Sequence, residues 1–423
     1  MKFKINVGNF KKGLFSATNI ATKQVDKEIS SAFLINIRVE KEAIVVTAFG
    51  GTAGIISIIS NENIHELKYD CEEEGDITVR VTEFMNALDS FPDIQDVKIE
   101  KKSNKVIIDM VVGAKEGYQR QIITLTQDKV KLPKIAKKFN KQIDVHRDIL
   151  AQGLSKVAFA MGWEDTNPKY ECLLLDVKKD MIRLASSTGG RFAVDDITGN
   201  GVLDGIEETS FIFPKNNISN IINILKGMTN EDAEKVTIKQ SSASADNPEQ
   251  IIIETDKKQH MLCLFGIDTA IKYKDMNIFI NNKYPYAMNS NLEDWVYAAN
   301  GIYATYSDEM KQENDILNAQ VTVNFNKERF EIESKHRLSS ERTVPFKTSK
   351  NNGENKSPVF RCNINYLTEL VSRHFKSGEI LMEIDEEKSG GKRAPIVVRF
   401  PDEVNQSRGT TEKFTIFFAT AKL

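Results

Sequence analysis

Hydrophobic and polar positions along this chain keep two periods in a fixed order. Residues 1–7 alternate with the two-residue period of a half-buried strand. Phe10, Leu14, Ala17 and Ala21 then recur at spacings of three and four, which predicts a helix over 9–20 with Asn9 as its cap. Alternation returns over 32–39, 43–49 and 54–60. A second helix is predicted over 82–91, capped by Thr82 and stopped by Pro92, and strands follow at 97–100, 105–112 and 121–126.

The same order then restarts twice. A helix is predicted over 144–161, with Val145, Ile149, Leu150, Leu154, Val157 and Met161 as its apolar stripe. Strands come at 170–177, 181–186 and 191–197, and Pro214 suits the first position of a helix over 214–228. Strands at 235–239, 250–255 and 259–265 complete the second round. In the third, Asn289 or Ser290 caps a helix carrying Leu292, Val296, Ala299 and Tyr303, and another helix spans 363–375. Its strands are predicted at 319–324, 329–334, 341–346, 380–385, 396–400 and 413–423. First helices begin near 9, 144 and 289, and second helices near 82, 214 and 363. Three units of about 140 residues, each with two helices and antiparallel strands, make a triplicated α+β chain. Their boundaries fall at 1–128, 142–276 and 284–423. Residues 129–141, KVKLPKIAKKFNK, read as a solvated basic connector, and 347–358 and EEKSGGKRAP as polar loops.

Composition narrows the class. The chain has 423 residues, 40% hydrophobic and 28% charged, as soluble globular proteins do. It holds no apolar run of the roughly 18 residues that a membrane helix needs. Its start, MKFKINVGNF, lacks the apolar centre of a secretion signal, so a cytoplasmic protein with no membrane contact is expected. Four scattered cysteines form no CxxC pair, and five histidines show no metal-ligand spacing. No metal or cofactor is expected. Net charge is −3, from 57 basic and 60 acidic residues, unlike a protein that simply coats nucleic acid. Segregated charge leaves a DNA partner open.

Motifs for chemistry are missing: there is no P-loop, HExxH, GxSxG or EF-hand loop. The turn Ser186-Ser187-Thr188-Gly189-Gly190-Arg191-Phe192 lacks the lysine and hydroxyl of a nucleotide loop. Asp165, Asp195 and Asp196 offer no recognisable acid–base pair. A non-enzymatic protein is expected. Alone, the stretch 181–194, MIRLASSTGGRFAV, is an ordinary glycine hairpin.

Three features together change that reading. The triplicated two-helix unit, the segment RLASSTGGRFAV and the apolar end KFTIFFATAKL resemble the bacterial-type DNA sliding clamp, the β subunit of replicative DNA polymerase III. The resemblance implies a homodimeric ring of six similar domains, its helices facing duplex DNA without sequence preference. Such a ring is a processivity factor that tethers the replicative polymerase by raising its effective concentration, and it is placed by a clamp loader. The DNA-facing residues it implies are Lys11, Lys12, Arg147, Lys156, Lys215, Lys226, Arg373 and Lys376, all read as lying off the apolar stripes. Trp163, Lys169 and Tyr170 join them from the loop GWEDTNPKY. The implied partner-peptide pocket comprises Ser187, Gly189, Gly190, Arg191 and Phe192 with Phe417, Ala419, Ala421 and Leu423. Gly190 stands where the family usually has histidine. ATAKL replaces a proline- and methionine-bearing end, and FGIDTAIKYKDM replaces a Gly-Arg-Phe-Pro stretch. These departures and the polar insertions fit a divergent member, from a bacterial cell or carried by a bacterial virus or mobile element. A second reading stays open: a clamp-fold scaffold for replication or repair proteins that never encircles DNA.

Overall fold

The computed structural model describes the chain except residues 23–32, 61–66, 68, 113–114, 163–170, 189, 200–207, 229–233, 243–248, 256–258, 266–276, 306–319, 327–328, 335–339, 351–358, 364–367, 369–376, 385–394, 407–409 and 420–423. The first repeat comprises β1 (Lys2–Asn6), α1 (Val7–Thr22), β2 (Leu34–Val39), β3 (Ala43–Phe49), β4 (Ala53–Ser60), β5 (Tyr69–Glu73), β6 (Gly75–Arg80), α2 (Val81–Asp89), β7 (Asp96–Lys102), β8 (Lys105–Val112) and β9 (Lys115–Thr124). The second comprises β10 (Lys141–His146), α3 (Arg147–Val157), β11 (Cys172–Lys178), β12 (Met181–Ser187), β13 (Arg191–Gly199), β14 (Thr209–Pro214), α4 (Lys215–Gly227), β15 (Lys235–Gln240), β16 (Gln250–Thr255) and β17 (His260–Phe265). A single turn, α5 (Asn277–Ile280), leads to the third. It comprises β18 (Tyr286–Asn291), α6 (Leu292–Tyr303), β19 (Gln320–Asn326), β20 (Arg329–Ser334), β21 (Ser340–Lys350), β22 (Val359–Asn363), β23 (Glu379–Ile384), β24 (Pro395–Arg399), β25 (Glu403–Asn405) and β26 (Thr410–Ala419). The helix expected over 363–375 falls almost wholly outside the described residues.

Helices grow directly from strands, which moves several caps from where periodicity puts them. Asn6, not Asn9, caps α1: its Oδ1 accepts from the Asn9 N–H at 3.1 Å. Asn291 caps α6 by accepting from the Glu293 N–H at 2.9 Å, in place of Asn289 or Ser290. Pro214 sits at the cap of α4 rather than inside it, with an extended ψ of 139°. Thr82 lies within α2, whose cap is Arg80. Residues 144–146 end β10, so α3 begins at Arg147 and carries less of the expected stripe.

Compactness follows the sheets. One unit is Met1–Gln152 with Ile212–Ala270, and the other is Gly153–Phe211 with Ile271–Leu423. In the first unit, β5-β1-β7-β8-β9 form one sheet and β10-β15-β16-β17-β4-β3-β2-β6 another. The second sheet crosses repeats where β17 pairs antiparallel with β4, His260 opposite Ser57. There the buried His260 Nδ1 and Ser57 Oγ lie 2.9 Å apart. Helix α1 packs so closely on β4 that a Cβ on Gly13 would stand 2.4 Å from Ile59. Phe10 joins Phe3 and Phe84 edge-on at 5.8 and 6.0 Å in the same core. In the second unit the run is β11-β12-β13-β26-β24-β23-β18-β21-β20-β19-β22. It crosses repeats where β26 pairs antiparallel with β13. Both crossings follow one rule: the last strand of one repeat pairs with the third sheet strand of the repeat before it.

Candidate functional site

The joint between β13 and β26 gathers most of the expected pocket residues. Ser187 faces Phe192 across the hairpin, and Phe192 faces Phe417 across the joint. The turn closes with the Thr188 N–H donating to the Arg191 carbonyl at 3.0 Å. Alternation along the strands puts Ala185, Phe192, Val194, Val397 and Phe417 on one face, where they form an apolar cluster with Tyr284, Leu174 and Ile280. The segment that brings Ile280 and Tyr284 is pinned by two arginines. Arg183 grips Asp196 through Nε and Nη2 at 2.6 and 2.8 Å and donates through Nη1 to Asn277 Oδ1 at 2.7 Å. Arg399 pairs with Glu383 at 2.7 Å and donates to the Ile280 carbonyl at 3.0 Å.

This corrects the expected open wall. Phe192 and Phe417 are core residues here, the latter 1% exposed, because Ile280 and Tyr284 pack on their face. Arg191 is buried too. Its Nη2 donates to the Phe159 carbonyl at 2.6 Å and its guanidinium stands 5.6 Å from the Phe159 ring. The rim is left with half-buried Gly190 and the strand end at Ala419. Gly189, Ala421 and Leu423 lie outside the described residues. Periodicity missed Asn277, Ile280 and Tyr284 as parts of this cluster, and the apolar runs IFI and YPY at 278–286 were their only signal.

The opposite face of the joint is charged. Lys156, at the end of α3, donates to Glu403 at 2.6 Å and also to Glu412, and is 6% exposed. Asp195 lies beside this group at 0% exposure, and neither carboxylate oxygen has a hydrogen-bond partner. Burial pushes its carboxyl up to about 7. Lys156 opposes that shift, while Glu412, Asp196 and Glu403 add to it. Burial alone would lower the Lys156 ammonium, but Asp195, Glu403 and Glu412 together raise it. Gly153 makes room here: a Cβ on it would meet Leu184 at 2.4 Å and Asp195 Oδ2 at 3.5 Å.

No family model matches the sequence, and no curated protein matches it either. Solved structures do match, over the whole length. A DNA polymerase III β subunit from Thermotoga maritima has a TM-score of 0.76 at 13% identity, covering 100% of this chain and 99% of that one. A putative DNA polymerase III β subunit from Eubacterium rectale has 0.72 at 16% identity, and the β subunit from Streptococcus pyogenes 0.75 at 14%, with all of both chains covered in each case. This is the sliding-clamp fold.

Within the clamp fold, the residues expected to face DNA separate into four groups. Lys12 on α1 and Lys226 on α4 are exposed, and Lys215 is half-buried at the start of α4. Lys11 is held by Asp89 and Asp93 at 2.8 and 2.9 Å. Arg147 and Lys156 are corrections. Arg147 is 5% exposed, bonded to Asp148 at 2.7 Å and to the Met228 carbonyl at 2.6 Å, and Lys156 is locked in the carboxylate cluster. Their charge is spent inside the fold. Lys156 stands seven residues after Ile149 and three after Gly153, close to the inward face of the shorter helix. Trp163, Lys169, Tyr170, Arg373 and Lys376 lie outside the described residues. Among the described residues no helix is long and apolar enough to cross a membrane, and no three His, Cys, Asp or Glu side chains gather as a metal site.

Proposed function

We propose that this chain is the subunit of a DNA sliding clamp. Two copies close a ring around duplex DNA and tether the replicative polymerase, after a clamp loader has placed the ring. The protein does no chemistry and works in the cytoplasm of a bacterium or a phage-infected host. The end-to-end likeness to three β subunits carries this reading. Strand pairing supports it. Two crossings between repeats are filled within the chain, and among the described residues the same rule leaves one last strand, β9, and one third sheet strand, β21, without such a partner. Among those residues, 340–345 of β21 pair with β20 alone, and β9 pairs with β8 alone. A second copy supplies both edges in two equivalent joints. Exposed Lys12 and Lys226 then give diffuse attraction to phosphates, which permits sliding. Partner proteins add an extended peptide along the rim beside half-buried Gly190 and the strand end at Ala419.

Sedimentation at micromolar concentration tests the ring, with a dimer expected and a stable monomer contradicting it. Retention on circular but not linear DNA after loading tests encirclement. A dimer that binds replication proteins yet leaves circular and linear DNA alike would establish the scaffold reading instead.

A further inference from the structure

The connector between the first two repeats carries the densest positive charge in the chain. Residues 129–141 hold six lysines and no acid, so the other 410 residues sum to −9, that is −3 less 6. It is not a solvated tether. Leu132, Ile135 and Phe139 insert against Ile252, Cys263, Phe265 and Phe49. The Ala136 N–H donates to Gln250 Oε1 at 3.0 Å, and Gln250 Nε2 donates to the Lys134 carbonyl at 2.8 Å. Gln250 is fully buried beneath it. Leu132 occupies the space that a Cβ on Gly54 would need, at 2.2 Å. Gly54 and Ile59 differ in parity along β4, and Ile59 faces α1. The connector therefore straps the sheet face turned away from α1.

Anchored inward at three apolar points, the strap turns Lys129, Lys131, Lys134, Lys137 and Lys138 outward, all exposed and with no acidic partner among the described residues. We propose that this strap is a second nucleic-acid contact, holding the phosphate backbone of a DNA segment on the face opposite α1 without reading its sequence. Nine intervals of chain reach at most about 30 Å, the length of roughly nine phosphates along one strand of a duplex. The row is lysine throughout, giving mobile point charges rather than the planar forks that select carboxylates in pairs. It covers a sheet face, not an edge, so an acidic peptide gains no backbone ladder there. Exposed aromatics for base stacking are absent from it, which fits backbone attraction alone. The packing that fixes the strap lowers the ordering cost of binding. This contact is independent of ring closure.

The test uses the full chain without a loader. Fluorescence anisotropy measures binding of a labelled oligo-dT and of a short duplex across a salt series. The variant Lys131→Ser, Lys134→Ser, Lys137→Ser, Lys138→Ser should keep its melting temperature. On single strands its log K against log salt slope should become shallower by about 3, from 0.7 per lost contact, and affinity should drop by two decades or more near 0.1 M salt. Arginine at the same four positions should restore binding. The helix-side variant Lys12→Ser, Lys226→Ser should leave this four-lysine increment unchanged. An unaltered slope in the serine variant overturns the proposal. So does loss of polyglutamate binding with DNA binding intact, which would mark the strap as a site for acidic protein segments.

Discussion

Replacing Asp195 by asparagine removes one titrating group from the β13–β26 joint and keeps its shape. The Asp195 carboxyl stands at about 7 in the fold against an ordinary value of 3.8. At 1.36 kcal/mol per unit, the fold prefers the protonated form by about 4 kcal/mol. The sign follows from which state holds the proton. Below about pH 4 both folded and unfolded chains are protonated, and the full preference is present. Between about pH 4 and 7 the unfolded chain gives up its proton first, so stability falls by about 1.4 kcal/mol per pH unit. Above the folded value both are ionised and the contribution is gone. An amide stays neutral throughout, and Lys156 keeps Glu403 and Glu412. Asp195→Asn should therefore match the parent near pH 4 and exceed it by up to about 4 kcal/mol at pH 8. Urea unfolding followed by tryptophan fluorescence measures this, since Trp295 is fully buried in the same unit. A difference that stays flat with pH, or a parent that gains on the variant as pH rises, would refute the reasoning. The latter result would mean that Asp195 is an ionised partner of Lys156.

Phe417→Ala, facing Phe192 in the closed cluster, should cost about 3–5 kcal/mol in chemical denaturation, whereas an exposed wall residue would cost under 1 kcal/mol. Lys12→Glu with Lys226→Glu should weaken DNA association most at low salt, and a loss independent of salt would point to misfolding instead. Ile122 is 55% exposed on β9, so, if β9 closes the proposed ring, Ile122→Glu should give a folded monomer by sedimentation where the parent chain is a dimer.

Much of the fold was legible because its helices and strands keep their periods. The order of elements, the glycine turn at 188–190 and the apolar last strand all follow from local pattern. Boundaries slipped for one repeated reason. At β1, β6, β10, β14 and β18 a strand runs into a helix with no loop between, so no polar punctuation marks the change. That shift of start misplaced Lys156, whose partners Glu403 and Glu412 lie 247 and 256 residues away. No local rule couples positions at such distance. The connector misled in the opposite way. Its lysines dominate a composition reading, but Leu132, Ile135 and Phe139 at spacings of three and four decide where it lies. The cover over Phe192 was illegible because Tyr284 reaches it only through the sheet partners of another repeat.

The joints at β4–β17 and β13–β26 have one further consequence. A bond that always links the tail of one repeat to the flank of the preceding one is the linkage of a polymer, here made twice among three repeats. Head-to-tail linkages of this kind have two fates, a closed cycle or an endless fibre, and only the angle per link separates them. A substitution that bends one joint without breaking it would leave both terminal edges reactive and misaligned for a second copy. Its product at high concentration would be a filament rather than a monomer, so growth in length becomes the visible symptom of an altered angle.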